Sequence, residues 1–338
     1  MATLPLNNDV HRAILAAIDE GRPFALAIVM KSSGSVPREA GTKALIDENG
    51  TIHGTIGGGL LESEAQRLAV ESLQSKQPTV FDFRFAGASA DLNDPVCGGT
   101  MCVLVDPDAV RNRAGYAAAA EAVRRRHRGV LLTTVNGDRA APQVSVDWIA
   151  QDSLPPNNDG WRALKGRGAD VLAEPVVPAA RLLIAGGGHV AQALARQAGL
   201  VGFEVIVVED RAEFVDPARY LPDVTTRCGE FSEALAEFPI DEDTYIAIVG
   251  RGHRVDMQAL AVCLNSPAAY LGMMGSRRKV ALVRKAFQES GQATEEQFAR
   301  VYAPIGLNLG AETVPEIAAS IVAQLVAVRR TGRAPRFE

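Results

Sequence analysis

The chain has 338 residues, 47% of them hydrophobic and 22% charged, with a formal net charge of -5 at pH 7. That length allows about two domains, each able to bury its own core, and the composition excludes a fibre or a disordered chain. The acidic balance argues against a nucleic-acid partner, and no apolar stretch is long enough to suggest membrane insertion.

Apolar residues at helical spacing from Asp9 to Glu20 predict a first helix, with Asp9 as N-cap and Gly21 just past the end. Phe24 to Met30 reads as a buried strand and Thr42 to Ile46 as another. Asp47-Glu48-Asn49-Gly50 then turns the chain into Thr51 to Ile56. Leu60 to Leu73 is helical by period and opens directly after Gly57-Gly58-Gly59. Strands at Thr79 to Phe85 and Met101 to Val105 flank the loop Ala86 to Gly99. A helix through Ala117 to Arg126 precedes strands at Val130 to Val135 and Val144 to Ile149. The amino-terminal half is therefore α+β, with long glycine-bearing loops.

Gln151 to Arg181 is rich in turn signals, among them Pro155-Pro156-Asn157-Asn158-Asp159-Gly160, Pro175 and Pro178. A domain boundary near Pro178 follows, giving domains 1–178 and 179–338. Beyond it, strands near Leu182, Val205, Thr225, Tyr245, Tyr270 and Val301 alternate with helical patterns, which predicts a doubly wound parallel sheet. The last helix starts with a capping box, Thr313 and Glu316, and runs to Arg330. Its apolar stripe over Val314 to Val328 suits the pairing of two protomers, so a homodimer is expected.

Leu182-Leu183-Ile184-Ala185-Gly186-Gly187-Gly188-His189-Val190-Ala191, followed by a strand ending in Glu209-Asp210-Arg211, has the order strand, glycine turn, helix, strand, acid. That is the order of a nucleotide-binding half-site: Gly186 for the tight turn, Gly188 for close approach to a pyrophosphate, and Glu209 or Asp210 for the ribose hydroxyls. The helix opening at His189 aims free N–H groups at the anion.

In such sheets ligands bind beyond the carboxyl ends of the strands. Cys228-Gly229, Gly250-Arg251-Gly252-His253 with Asp256, and Gly275-Ser276-Arg277-Arg278-Lys279 fall at that edge. Cations in the first turn of a helix capped by Ser276 oppose its dipole by about 0.3 to 1 kcal/mol each, which a phosphate, solvent or carboxylates must offset. In the amino-terminal half, Ser32-Ser33-Gly34-Ser35-Val36-Pro37-Arg38, Gly57-Gly58-Gly59 and Cys97-Gly98-Gly99 expose backbone N–H groups suited to an anion cradle, or are plain turns. Glu62 either supports the start of its helix or faces a ligand. Cys97, open beside two glycines and favoured as thiolate if Arg38 is near, suits metal or sulfur chemistry; its other reading is a small buried hydrophobe.

The four cysteines, Cys97, Cys102, Cys228 and Cys263, have neither disulfide-framework nor zinc spacing, which fits a reducing cytoplasm. Met1 to Val10 lacks a basic segment followed by an apolar run, so no signal peptide is read there.

Gly34-Ser35-Val36-Pro37-Arg38, Gly54-Thr55-Ile56-Gly57-Gly58-Gly59-Leu60-Leu61-Glu62, Cys97-Gly98-Gly99, Gly186 to Ala191, Gly252-His253 with Asp256, Tyr270 to Lys279, and Ala303 to Leu307 with Gly310 to Thr313 together resemble the XdhC/CoxI family. These are accessory proteins in the maturation of xanthine dehydrogenase and carbon monoxide dehydrogenase, and the resemblance covers nearly the whole chain. It implies an amino-terminal α+β family domain followed by a Rossmann-like domain. It also implies a chaperone that binds molybdopterin, protects the molybdenum cofactor during sulfuration, and delivers it to an apo-molybdenum hydroxylase of the xanthine dehydrogenase type. A cysteine desulfurase-like protein is the implied sulfur donor.

On this reading Cys97 lies near the metal or its sulfur, while Ser35, Arg38, Gly57, Gly58, Gly59, Glu62 and Gly98 surround anionic groups. Gly186, Gly188, His189, Glu209, Asp210, His253, Ser276, Arg277 and Arg278 take a nucleotide, an NAD(P)-like dinucleotide, or the dinucleotide tail of the cofactor. The chain has no H-E-x-x-H, G-x-S-x-G or Walker lysine motif, so a factor without turnover of its own is favoured. The alternative is an NAD(P)-dependent oxidoreductase with His253 as its acid.

Overall fold

Strand β1 (Phe24–Ser33) is buried along its first seven residues, and a strand buried on both faces needs a layer on each side of its sheet. A computed structural model, describing residues 10–85, 98–137, 142–153 and 170–335, supplies both layers. Around β1 runs an antiparallel sheet of order β3-β2-β1-β5-β4, with β2 (Lys43–Asp47), β3 (Ile52–Gly54), β4 (Thr79–Arg84) and β5 (Thr100–Asp106). The β2–β3 hairpin is fixed by Asp47, whose Oδ1 accepts from the amides of Asn49 at 2.9 Å and Thr51 at 2.8 Å.

Alternation along β1 sends Ala25, Ala27 and Val29 to one face, where Leu61, Ala65 and Ala69 of α2 (Gly59–Ser75) cover them. Leu26, Ile28 and Met30 face the other way. They meet α1 (Val10–Asp19), α3 (Arg113–Arg124) and a second sheet of order β7-β6-β8, built from β6 (Gly129–Asn136), β7 (Gln143–Ala150) and β8 (Asp170–Val176). Strand β8 is not expected from the sequence, where Pro175 and its neighbours read as linker. The proline fits because β8 is an edge strand, where a missing N–H costs no ladder bond.

The chain forms two compact units, Met1–Pro178 and Ala179–Glu338. The second holds five parallel strands in the order β11-β10-β9-β12-β13. These are β9 (Arg181–Ala185), β10 (Glu204–Glu209), β11 (Thr225–Cys228), β12 (Thr244–Ile248) and β13 (Tyr270–Met273). Leu183, Ile206, Val208 and Ile246 face helices α5 (Phe231–Glu237), α6 (His253–Cys263) and α7 (Arg277–Glu289). On the same side, α8 (Glu295–Ala299) contributes Phe298. Leu182, Ile184, Val205 and Val207 face α4 (His189–Leu200) and α9 (Val314–Thr331). The unit is thus doubly wound, with helices on both faces of a parallel sheet.

Two expectations are corrected here. The strand predicted near Val301 is reduced to a single parallel bridge, Gly272 to Tyr302, and Pro304 has no N–H with which to extend a ladder. The apolar stripe of α9 is not left for a second protomer. Ala318, Ile321, Leu325 and Val328 pack into the core of their own unit, and buried Gln324 accepts from the Tyr270 hydroxyl and the Gly306 amide. Among the described residues, no helix is long and apolar enough to cross a membrane.

The core below β1 has a polar centre. Alternation puts Lys43, Asp106, Thr133 and Glu174 on the same faces as Leu45, Leu104, Leu131 and Leu172, and His11 stacks on Tyr116 with ring centroids 6.3 Å apart. Lys43 bonds one oxygen of Glu174, but His11 Nε2, Asp106 Oδ2, the Tyr116 hydroxyl, Thr133 Oγ1 and Glu174 Oε2 have no partner among the described residues. Burial, and then the Lys43 ammonium, lowers the His11 pKa to about 4, while burial raises that of Asp106.

Protonation of His11 therefore opposes folding, and its contribution is lost as pH falls from about 6.5 toward 4, by at most about 3 kcal/mol. Asp106 acts in the opposite sense: its charged form is disfavoured in the fold, so its penalty fades on acidification. Trp148 lies on β7 of the first unit, so tryptophan fluorescence follows the unfolding of that unit. Urea titrations at several pH values should show a first unit that weakens below neutrality, with His11→Gln flattening the slope. An unchanged slope removes His11 as the titrating group.

Candidate functional site

Three loops meet at one corner of the first unit because β1 and β5 are paired with Ser33 opposite Thr100. Their hydroxyls bond at 2.7 Å, so the Ser35 to Arg38 loop leaves β1 beside the Gly98-Gly99 approach to β5. The approach is close enough to demand glycine: a Cβ on Gly99 would lie 2.5 Å from the Ser33 carbonyl oxygen and 2.6 Å from that of Ser35. A Cβ on Gly57 would lie 2.7 Å from Pro37 Cγ, which brings the third loop against the first. Ser35, Arg38 and Gly98 are exposed at this corner. Cys97 lies outside the described residues.

The glycines that open α2 do not present bare amides to a ligand, which corrects the cradle expected at Gly57 and Gly58. Glu62 Oε1 accepts from the Thr55 hydroxyl at 2.6 Å and from the amides of Ile56 at 3.0 Å, Gly57 at 3.4 Å and Gly58 at 3.0 Å. The turn wraps a carboxylate of its own helix, with φ of 141°, 81° and 61° at Gly57, Gly58 and Gly59, values that side-chain-bearing residues rarely adopt. Partial burial works against the Glu62 charge, but the hydrogen bonds from Thr55, Gly58, Ile56 and Gly57 outweigh it and lower the pKa. Leu60, just beyond, is 75% exposed.

In the second unit the strand order reverses between β9 and β12, the place where open parallel sheets bind ligands. The turns leaving these strands touch. Gly186 has φ of 122°, and a Cβ there would lie 2.9 Å from the Val249 carbonyl oxygen and 3.0 Å from Gly250 Cα. Helices α4 and α6 both open on a glycine, Gly188 and Gly252, without a side-chain cap, and a Cβ at either would meet nothing within 4 Å. Their first-turn amides are the kind that accept an anion. His189 is exposed and lines an open cleft of about 810 Å³ with Gln192, Arg196, Arg219, Tyr220 and Pro315. The His253 side chain lies outside what is described.

Glu209 is not a free acceptor for a ribose. It is 7% exposed, its Oε2 accepts from the Gly187 amide at 2.8 Å, and its Oε1 accepts from Arg211 Nε at 2.6 Å. Burial raises its pKa, but hydrogen bonding to Arg211, Asp210 and Gly187 pulls it down to about 2. Neighbouring Asp210 is raised by Glu209 and is the exposed acid of the pair. The sequence motif left Gly187 without a role. It is crowded by Phe214, whose Cβ would lie 2.8 Å from a Cβ on Gly187, and the Arg211 guanidinium stacks 3.8 Å above the Phe214 ring.

Ser276 caps α7, accepting from the Lys279 amide at 3.2 Å, and Arg277 and Arg278 are exposed on the first turn. Lys279 departs from that pattern. Its Nζ bonds the Asp256 carboxylate and the Met274 carbonyl oxygen, the latter at 3.1 Å. Asp256 is fully buried, and its Oδ1 has no partner among the described residues. The sequence marked both residues at the sheet edge but carried no signal that they pair, because 23 positions separate them.

The two units, a mixed α/β unit followed by a Rossmann-like one, match known proteins in the same order. Residues 17–84 match the XdhC and CoxI family, and residues 182–325 match the XdhC Rossmann domain. The chain belongs to the XdhC/CoxI family. It is 30% identical over 312 residues to the uncharacterized protein YqeB of Escherichia coli (strain K12), covering 92% of this chain but only 44% of YqeB, so it spans less than half of that relative. It is 23% identical over 340 residues to a probable xanthine dehydrogenase subunit of Bacillus subtilis (strain 168), covering 95% of this chain and 97% of the other. The molybdenum cofactor insertion chaperone PaoD of E. coli (strain K12) is 24% identical over 330 residues, covering 95% of this chain and 89% of PaoD. A crystal structure from Bacillus halodurans, described as a xanthine dehydrogenase, has the same fold, with a TM-score of 0.78 at 22% identity over 95% of this chain and 96% of that one.

The Glu62 clasp makes a local prediction. Glu62→Ala leaves the amides of Ile56, Gly57 and Gly58 without their acceptor and should cost about 1 to 3 kcal/mol of first-unit stability. Glu62→Gln keeps an acceptor oxygen and should retain most of it. Because the Glu62 pKa is lowered in the fold, the contribution is present above the ordinary carboxylate range and fades as pH falls through the folded value. Hydrogen exchange at Gly57 and Gly58 is the direct measurement, and protection that survives Glu62→Ala contradicts the clasp.

Proposed function

We propose that this chain is an accessory protein of molybdenum hydroxylases that carries the molybdenum cofactor as cargo. It shields the cofactor while a cysteine desulfurase-like donor supplies its terminal sulfido ligand, and delivers it in the cytoplasm to an apo-hydroxylase of the xanthine dehydrogenase type. Similarity to PaoD over 95% of the chain supports the class of work. The observation that carries the reading is the first-unit corner, where three glycine-bearing loops are packed together next to Cys97 in sequence.

The residues present fit that cargo in part. Molybdopterin has a phosphate, for which exposed Arg38 and the Ser35 hydroxyl are suited, and a dithiolene-bound metal, for which a Cys97 thiolate is the soft partner. The Gly57 and Gly58 amides are not among its partners, since Glu62 holds them. Within the second unit, the uncapped turns at Gly188 and Gly252, with Asp210, Ser276, Arg277 and Arg278, suit the phosphates and ribose of a nucleotide or of a dinucleotide tail.

Anaerobic titration with purified molybdenum cofactor tests this. The full chain should retain the cofactor through gel filtration, and Cys97→Ala and Arg38→Ala should each weaken retention by about tenfold or more. Equal retention by Cys97→Ala removes the thiol role, and no retention by the unaltered chain removes the reading. The β9–α4–β10 order also favours an NAD(P)-dependent oxidoreductase as a second reading. Saturable NADP binding with nicotinamide reduction across small alcohols and aldehydes would move the assignment there.

A further inference from the structure

Asp256 and Lys279 sit at the carboxyl-end edge of the second unit's sheet, where the turns after β9 and β12 touch. Gly186 touches Gly250, and a Cβ on Gly250 would lie 2.5 Å from Asp256 Oδ1. Asp256 holds Lys279, and Lys279 in turn bonds the Met274 carbonyl oxygen at the end of β13. One connected run thus links the turn before α4, the turn before α6 and the turn before α7.

We propose that Lys279 is a phosphate-contacting residue at this edge and that Asp256 is the positioning residue that holds its ammonium there. The inference rests on the reading that the switch point of the sheet takes a phosphorylated ligand. Three observations support it. An ammonium has three N–H donors, and Asp256 and Met274 engage two of them while the side chain remains 19% exposed. A lysine in the first turn of α7 opposes the helix dipole, so its helix does not favour it there. Asp256, buried completely with one oxygen lacking a donor among the described residues, is a poor device for stability alone, since apolar residues commonly replace buried ion pairs without loss. A point charge held by a buried carboxylate beside two uncapped helix starts is suited to a phosphate or phosphoanhydride.

The test uses the full chain with ADP, NADP and inorganic pyrophosphate as separate calorimetric probes, which distinguishes a nucleotide from a dinucleotide and from a bare phosphoanhydride. The paired variant Lys279→Met with Asp256→Asn removes both charges together. Lys279→Gln is the second variant, keeping a donor for Asp256 without the charge. Both are expected to weaken binding of the preferred probe by about tenfold or more and to make binding less sensitive to salt, a readout that a merely structural role does not move. Asp256→Asn alone should weaken binding less and leave the salt sensitivity intact. Unchanged affinity or unchanged salt sensitivity in whichever charge-removing variant stays folded overturns the Lys279 assignment while the reading of the edge stands. Failure of the unaltered chain to bind any probe overturns both.

Discussion

In each unit a glutamate from the same unit reaches back and accepts the amides of a glycine turn. Glu62 closes the turn that opens α2, and Glu209 closes the turn between β9 and α4. A glycine-rich turn is otherwise an expensive conformation, with entropy to lose and unpaired N–H groups to satisfy. The internal carboxylate fixes the turn, and the turn fixes what surrounds it: the Pro37 loop against Gly57, and Phe214 with Arg211 against Gly187. Both acids carry lowered pKa values, so both clasps are charged at neutral pH.

This arrangement leaves the open polar groups on the rims of the turns and not inside them. In the first unit the rim is the exposed stretch of Ser35 and Arg38 beside Gly98. In the second it is formed by the glycine caps of α4 and α6 and the capped start of α7. Each rim is placed by strand pairing: β1 with β5 in the first unit, β9 with β12 in the second. The long-range order of the sheets therefore sets the spacing of the polar groups, and the loops inherit it.

Periodicity made much of the fold legible. The apolar runs at Phe24 to Met30, Leu182, Val205 and Tyr245 each correspond to a strand, and the Thr313–Glu316 capping box is formed in full. What the sequence hid was what depends on partners far along the chain. Strand β8 contains a proline and becomes a strand only because β6 offers an open edge. The stripe on α9 is as apolar as its pattern suggests, but pattern alone does not say that α4 covers it. The site was legible as types and positions, not as pairings. Glycines, acids and cations could be read onto the loops that leave the strands, whereas the engagement of Glu62, Glu209 and Lys279 by their own unit depends on how the chain packs in three dimensions.

A turn that already encloses a fixed negative charge has no vacancy for sulfate or inorganic phosphate. Around Glu62 the backbone donors face a carboxylate that cannot diffuse away, so small free oxyanions gain little by approaching the start of α2. On the proposed reading, a guest is therefore held by side chains of the neighbouring loops, Ser35 and Arg38 among them, and the turn itself serves as a filled, rigid wall.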